Sequence, residues 1–220
     1  MINGILDLVS GSADQIDRVQ HWDAVHKRVG PLGGSWYQRE PKLWLELIQA
    51  FGVAKNTPIV DVGGGSSSLA GELLRRGFSD ISVLDLSTKA LQLARSCLGE
   101  EEPRVQWLCE DLLEWEPSRP YGVWHDRALF HFLVEAQQRQ RYRSVLRSAV
   151  SPGGLVIMAT FAADGPERCS GLPVARYSPE GIVDALGAGF ECLDCRREDH
   201  ATPSGTTQPF SWASLRRLHE

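Results

Sequence analysis

Cysteine is scarce and badly arranged for cross-linking. The five residues, at positions 97, 109, 169, 192 and 195, are an odd, scattered set, which excludes a disulfide framework and predicts reduced thiols. The one close pair, Cys192 and Cys195, has no second pair and no histidine at ligand spacing, so no metal site is expected. Positive charge is also in deficit. Lys and Arg total 23 against 28 Asp and Glu, a net charge of −5, leaving no sequence-wide field to hold a nucleic-acid backbone. The apolar runs are short and broken by charge, and residues 1–10 carry Asp7 but no Lys or Arg. Neither a membrane span nor a secretory signal is expected, and the expected location is the cytoplasm.

What is present is the composition of one soluble domain: 220 residues, 42% hydrophobic and 23% charged. An N-terminal segment, residues 1–40, precedes a core, 41–220, in which short apolar runs alternate with helical patterns. That alternation predicts an α/β fold with helices on the faces of a parallel sheet. Leu43, Leu47 and Phe51 recur at helical spacing over 41–51. Further helices are expected at 66–76, from Ser87 as N-cap through Leu98, over a long stretch 128–150, and after Ser178-Pro179. Strands are expected at 59–62, 81–86, 105–108, 121–125, 155–161, 190–197 and 210–217, with Ser151-Pro152-Gly153-Gly154 as a turn before the fifth. Glu100-Glu101-Glu102 reads as a solvated loop.

The chemistry concentrates where the first strand breaks, at Asp61-Val62-Gly63-Gly64-Gly65-Ser66. Side chains there would keep a ligand from the backbone amides at a helix N-terminus, and glycines open that approach. Asp85 ends the second strand about twenty residues on, where an acid can accept both hydroxyls of a ribose. The two features imply a nucleoside-containing cofactor. A dinucleotide site would carry a third Gly or Ala at the position of Ser68, so that cofactor is disfavoured.

These residues resemble the class I S-adenosylmethionine-dependent methyltransferases. Their first motif, acidic-x-Gly-x-Gly, matches Asp61-Val62-Gly63-Gly64-Gly65, and Asp85, followed by Leu86, fits the ribose-binding acid. Glu110-Asp111-Leu112 fits the adenine contact, Trp124-His125-Asp126-Arg127 the motif after the fourth strand, and Ser151-Pro152-Gly153-Gly154 the turn before the fifth. With His21-Trp22-Asp23 and Ser35-Trp36-Tyr37-Gln38 the chain is similar to small bacterial members of unassigned substrate. Eukaryotic protein-lysine methyltransferases share the layout. The resemblance implies a Rossmann-like three-layer sandwich, a seven-stranded, mostly parallel sheet whose last strand is antiparallel, with S-adenosyl-L-methionine as cofactor.

On that footing Asp61 holds the ammonium end of the cofactor and the turn amides around Gly63 and Gly65 receive its carboxylate. Asp111 accepts from the adenine amino group, and Leu112 offers its N–H and an apolar wall. His125, Asp126 and Arg127 stand at the carboxyl end of the fourth strand, the ligand-binding edge of open α/β sheets, as acceptor-site candidates. His125 is either a general base or a structural histidine. Trp22, Trp36 and Tyr37 are expected to form a lid over cofactor or acceptor. His131, Arg168 and Arg176 are weaker candidates for the same cavity, and lone Cys169 gives no basis for covalent catalysis. The expected reaction is methyl transfer to a small-molecule thiol, hydroxyl or amine, with no nucleic acid or membrane as partner. The alternatives are a protein substrate, methylated on lysine, a non-catalytic cofactor-binding module and, third, an NAD oxidoreductase.

Overall fold

A computed structural model describes residues 7–219, with side chains from Asp17 onward. The reading of residues 1–10 and part of that of the N-terminal segment therefore lie outside the described residues. The chain runs α1 (Asp7–Val29), α2 (Lys42–Ala50), β1 (Ile59–Val62), α3 (Leu69–Arg75), β2 (Ile81–Leu84), α4 (Thr88–Leu98), β3 (Val105–Leu108) and β4 (Tyr121–Arg127). It continues with α5 (Ala136–Ala149), β5 (Val150–Phe161), the two-residue pair β6 (Arg168–Cys169) and β7 (Leu172–Pro173), α6 (Pro179–Leu186), β8 (Phe190–Ala201) and β9 (Thr207–Arg217). Seven strands form one sheet in the order β3-β2-β1-β4-β5-β9-β8. All pairs from β3 to β5 are parallel. β9 inserts antiparallel between β5 and β8. The last strand is thus the antiparallel one, as expected, but it is not at the edge.

Both faces of the sheet are covered, which is why the central strands are continuous apolar runs rather than alternating ones. Alternate residues feed two separate cores. Ile59, Ile81, Val83, Val123 and Ile157 pack with Trp44 and Ile48 of α2 and Leu73 of α3. Val60, Val62, Leu84, Trp124, Val156 and Met158 pack with Tyr142 and Leu146 of α5 and Ile182 of α6. Ser87 and Ser178 cap α4 and α6 as expected, their hydroxyls accepting from the Ala90 and Gly181 amides.

The single helix expected over 128–150 is instead a break followed by α5. Ala128 adopts φ 71, Phe130–Phe132 form one 3₁₀ turn, and α5 starts only after Glu135. Two local devices cause the break. The Asp126 carboxylate accepts from the Leu129 and Phe130 amides at 3.0 and 3.2 Å, and Gln138 accepts from the Glu135 amide at 3.2 Å, half of a capping box that fixes the new start. Three further differences are smaller. Ser66 to Ser68 stay in the turn before α3, Ser151 to Gly154 lie inside β5, and Glu100 to Glu102 belong to a 3₁₀ helix, Gly99–Arg104.

α1 was not anticipated as a helix. It lies against α4 and is tied to the core at two points: Asp23 Oδ1 accepts from Ser87 Oγ at 2.6 Å and from the Lys89 amide at 3.0 Å, while Arg18 pairs with Asp111 at 2.7 Å. A carboxylate at the first turn of α4 also meets the positive end of that helix.

Candidate active site

Pairing register decides what faces the site. β1 and β4 run parallel with Asp61 opposite His125 and Val62 opposite Asp126. Because side chains alternate between faces, Asp61, His125 and Arg127 share one face and Asp126 the other. His125 Nδ1 and Asp61 Oδ1 lie 2.7 Å apart, and the imidazole sits between the rings of Trp44 and Trp212, at 5.2 and 6.5 Å. A neutral ring with Nδ1–H on Asp61 carries its lone pair at Nε2. Neither His125 Nε2 nor Asp61 Oδ2 has a partner among the described residues, although both are buried.

These groups line a cavity of about 200 Å³ at the carboxyl ends of β1, β2 and β4. Of the sequence candidates, Asp61, Gly63, Gly64, Gly65, Asp85, Leu86, Asp111, Leu112, His125, Arg127, Trp36 and Tyr37 all lie on its wall. Asp126 does not. Its buried carboxylate accepts from Leu129, Phe130 and the Tyr142 hydroxyl, the last at 2.6 Å, so the expectation that it serves the acceptor is corrected to a role in ending β4. Burial pushes Asp126 up to about 6 despite these donors. Asp126→Ala leaves two amides and a hydroxyl without an acceptor, and denaturant unfolding should show a loss of about 2–3 kcal/mol. Unchanged stability would contradict this role.

The glycine turn departs from expectation in detail. Gly63 and Gly64 both donate to the Leu84 carbonyl, at 2.7 and 3.3 Å, so those amides are not free for a carboxylate. What the glycines provide is closeness. Gly63 has φ 64, and a Cβ there would stand 2.6 Å from Leu129 Cδ1. A Cβ on Gly64 would stand 2.7 Å from both Asp61 Oδ2 and Val83 Cγ1. Asp85 is gripped from below. Its Oδ1 accepts from the Ser87 amide at 2.8 Å, and burial raises it to about 6 against the pull of the Ser87 and Gly65 amides, with Asp61 and Asp23 adding like charge. At the far end Asp111 Oδ1 accepts from Leu113 N at 3.0 Å, beside the apolar Leu112 and Leu113.

Part of the wall is built by residues outside the sequence candidates. Arg18 and His26 reach the cavity with Trp22, and Gln38, Phe132, Leu172 and Trp212 close it. His26 packs on Trp36 with centroids 5.2 Å apart, and burial lowers it to about 4. Trp22 stacks edge-on to Phe132 at 4.9 Å. Arg18, Trp22 and His26 follow at steps of four, a helical stripe that was there to be read. His131 turns away, its Nδ1 accepting from the Phe161 amide at 3.3 Å. Arg168 and Arg176 brace their own loop through the carbonyls of Gly171 and Gly165.

An adenosyl sulfonium amino acid fits this donor set. Asp85 suits ribose hydroxyls, the unpartnered Asp61 Oδ2 suits an ammonium, and Leu112 and Leu113 suit the face of a base. The fold and the site define a nucleoside-binding Rossmann-like enzyme. The methyltransferase domain family matches residues 59–154. EEF1A lysine methyltransferase 2 of Homo sapiens is 30% identical over 190 residues, 80% of this chain and 75% of its own. Among solved structures, a SAM-dependent methyltransferase from Anabaena variabilis superposes with TM-score 0.69 at 16% identity, over 92% of this chain and 94% of that one. The 1,6-didemethyltoxoflavin N1-methyltransferase of Burkholderia thailandensis, solved with S-adenosylhomocysteine, gives 0.65 at 15% identity, over 100% and 92%. The chain belongs to the class I S-adenosylmethionine-dependent methyltransferases, and S-adenosylmethionine is its methyl donor. No helix among the described residues is long and apolar enough to cross a membrane.

Proposed function

We propose that the chain methylates a small-molecule thiol, hydroxyl or amine inside a cavity closed by α1 and residues 35–38. The observation that carries this reading is the charge layout of the wall. Among the described residues its carboxylates, Asp61, Asp85, Glu110 and Asp111, all stand on or just after β1, β2 and β3, where the cofactor would be held. The other end presents Trp22, Trp36, Phe132, Leu172 and Trp212 together with the guanidinium of Arg127. A lysine ammonium entering there would meet a cation, while Glu198 behind that end is off the wall and its oxygens are taken by Gln38 and the Trp212 indole.

When bound, S-adenosylmethionine supplies a methyl group on a positively charged sulfur. Asp85 accepts from the ribose, Asp61 from the ammonium and Asp111 from the adenine amino group. In-line displacement needs donor and acceptor held at close approach, and the rigid strand ends provide that. His125, oriented by Asp61, presents Nε2 as a proton acceptor for an acceptor thiol, hydroxyl or amine. Arg127 orients the acceptor. The aromatic side chains of α1 and residues 36 and 37 exclude water as a lid.

Protein-lysine methylation is the second reading, favoured by the 30% identity to an enzyme named for that activity. Labelled S-adenosylmethionine added with the protein to a fractionated extract separates the two. The first reading puts label in the low-mass fraction. Label that stays in the protein fraction and is recovered as methyl-lysine after hydrolysis would overturn it.

A further inference from the structure

Arg127 closes β4 with its side chain on the acceptor end of the cavity. Nη1 donates to the Trp36 carbonyl at 2.9 Å, and the guanidinium carbon lies 4.3 Å from the centroid of the Phe210 ring. Nε and Nη2 have no partner among the described residues and are closed off from bulk water. Those two donors form one edge of the guanidinium, the edge that grips a carboxylate through two parallel N–H···O bonds. Among the described residues no acid makes an ion pair with Arg127. Glu198 is the acid that acts on it from nearby, but its oxygens accept from Gln38 and from the Trp212 indole, at 3.0 Å each.

The neighbours do not compensate the charge either. Burial holds Arg127 down to about 10, so it stays a cation at neutral pH. Cys169 beside it is pushed up to about 11 and stays a neutral thiol. His131 and His200 are both lowered by burial and by Arg127 itself, and stay neutral. A buried cation with an unpaired bidentate edge is expensive to keep unless something completes it. The cavity wall it shares with Trp36, Trp212, Phe132 and Leu172 is apolar and mostly aromatic.

We propose that Arg127 receives a carboxylate carried by the methyl acceptor, which makes the substrate class a small, flat, apolar acid bearing the thiol, hydroxyl or amine to be methylated. This rests on the methyl-transfer reading of the cavity. Benzoate and its neutral isostere benzamide probe it directly, titrated into the S-adenosylhomocysteine complex and followed by ligand-observed NMR. Benzoate should bind at least about tenfold more tightly, the scale of hydrogen bonds to a charged group. In Arg127→Met, which keeps the aliphatic stem on Phe210, the preference should fall to near one with S-adenosylhomocysteine affinity unchanged.

Equal binding of the two probes, or binding of neither, overturns the proposal even if the variant fails to fold. So does a variant that binds S-adenosylhomocysteine more weakly but 5′-methylthioadenosine, which lacks the amino-acid end, as well as wild type. That result gives Arg127 to the cofactor's own carboxylate. Failure of the wild-type protein to bind S-adenosylhomocysteine at all is a different outcome, which removes the methyl-transfer reading and the proposal together.

Discussion

Asp85→Ala should weaken S-adenosylhomocysteine binding by about two orders of magnitude, because two hydrogen bonds from ribose hydroxyls to a buried carboxylate are lost, each worth about 1.5–3 kcal/mol. Part of that is offset in the free protein. The wild-type carboxylate is buried and held up at about 6, so its charged form is disfavoured until donors arrive. The same fact gives a pH signature. Ribose hydroxyls need the ionised acid, which the free protein has lost below pH 6, so binding there releases a proton. Affinity should drop by up to about tenfold per pH unit as the solution is acidified from 6 toward 4, and Asp85→Asn should be flat over that range. Calorimetry of wild type and both variants at pH 5 and 7 checks this. Wild-type affinity in Asp85→Ala would remove the residue from the cofactor site.

Removal of residues 1–39 should abolish measurable methyl transfer and reduce S-adenosylhomocysteine affinity by about 100-fold or more. The deletion takes Arg18, Trp22, His26, Trp36, Tyr37 and Gln38 from the wall of the cavity, and each large side chain withdrawn from a buried contact is worth about 1.5–3 kcal/mol. Trp22→Ala is the milder companion. It removes the ring that packs on Phe132 and Trp36, and it should cost about tenfold in affinity while leaving the fold intact, as judged by circular dichroism. Turnover and affinity that survive the deletion would reduce α1 to an ornament of the fold.

That Asp61, Gly63 to Gly65 and Asp85 line one cavity was legible because their signals are local. A strand that stops at three glycines, and an acid about twenty residues downstream, stand in fixed relation along the chain. The aromatic end of the cavity was less so. Trp212 reaches the cavity only because β9 inserts between β5 and β8, a pairing that joins residues far apart in sequence and leaves no local mark. The expected fourth strand stops at 125, but β4 runs on to Arg127, and alternation along it forbids His125, Asp126 and Arg127 from sharing one pocket. Arg18, Trp22 and His26 keep helical spacing, but a polar helix with a weak apolar stripe is easily passed over as a segment without structure. The long helix expected from residue 128 failed for a different reason. Propensity ran on through Leu129 to Leu133, while the Asp126 side chain captured the amides that would have started it.

The cavity at the ends of β1, β2 and β4 as the seat of an adenosyl amino acid is the claim on which every other statement about function depends. Isothermal titration of the purified protein with S-adenosylhomocysteine, and separately with NAD, tests it most directly. One molecule of S-adenosylhomocysteine per chain should bind with measurable heat that NAD neither produces nor blocks. Saturable NAD binding, with no heat from S-adenosylhomocysteine on folded protein, would contradict it.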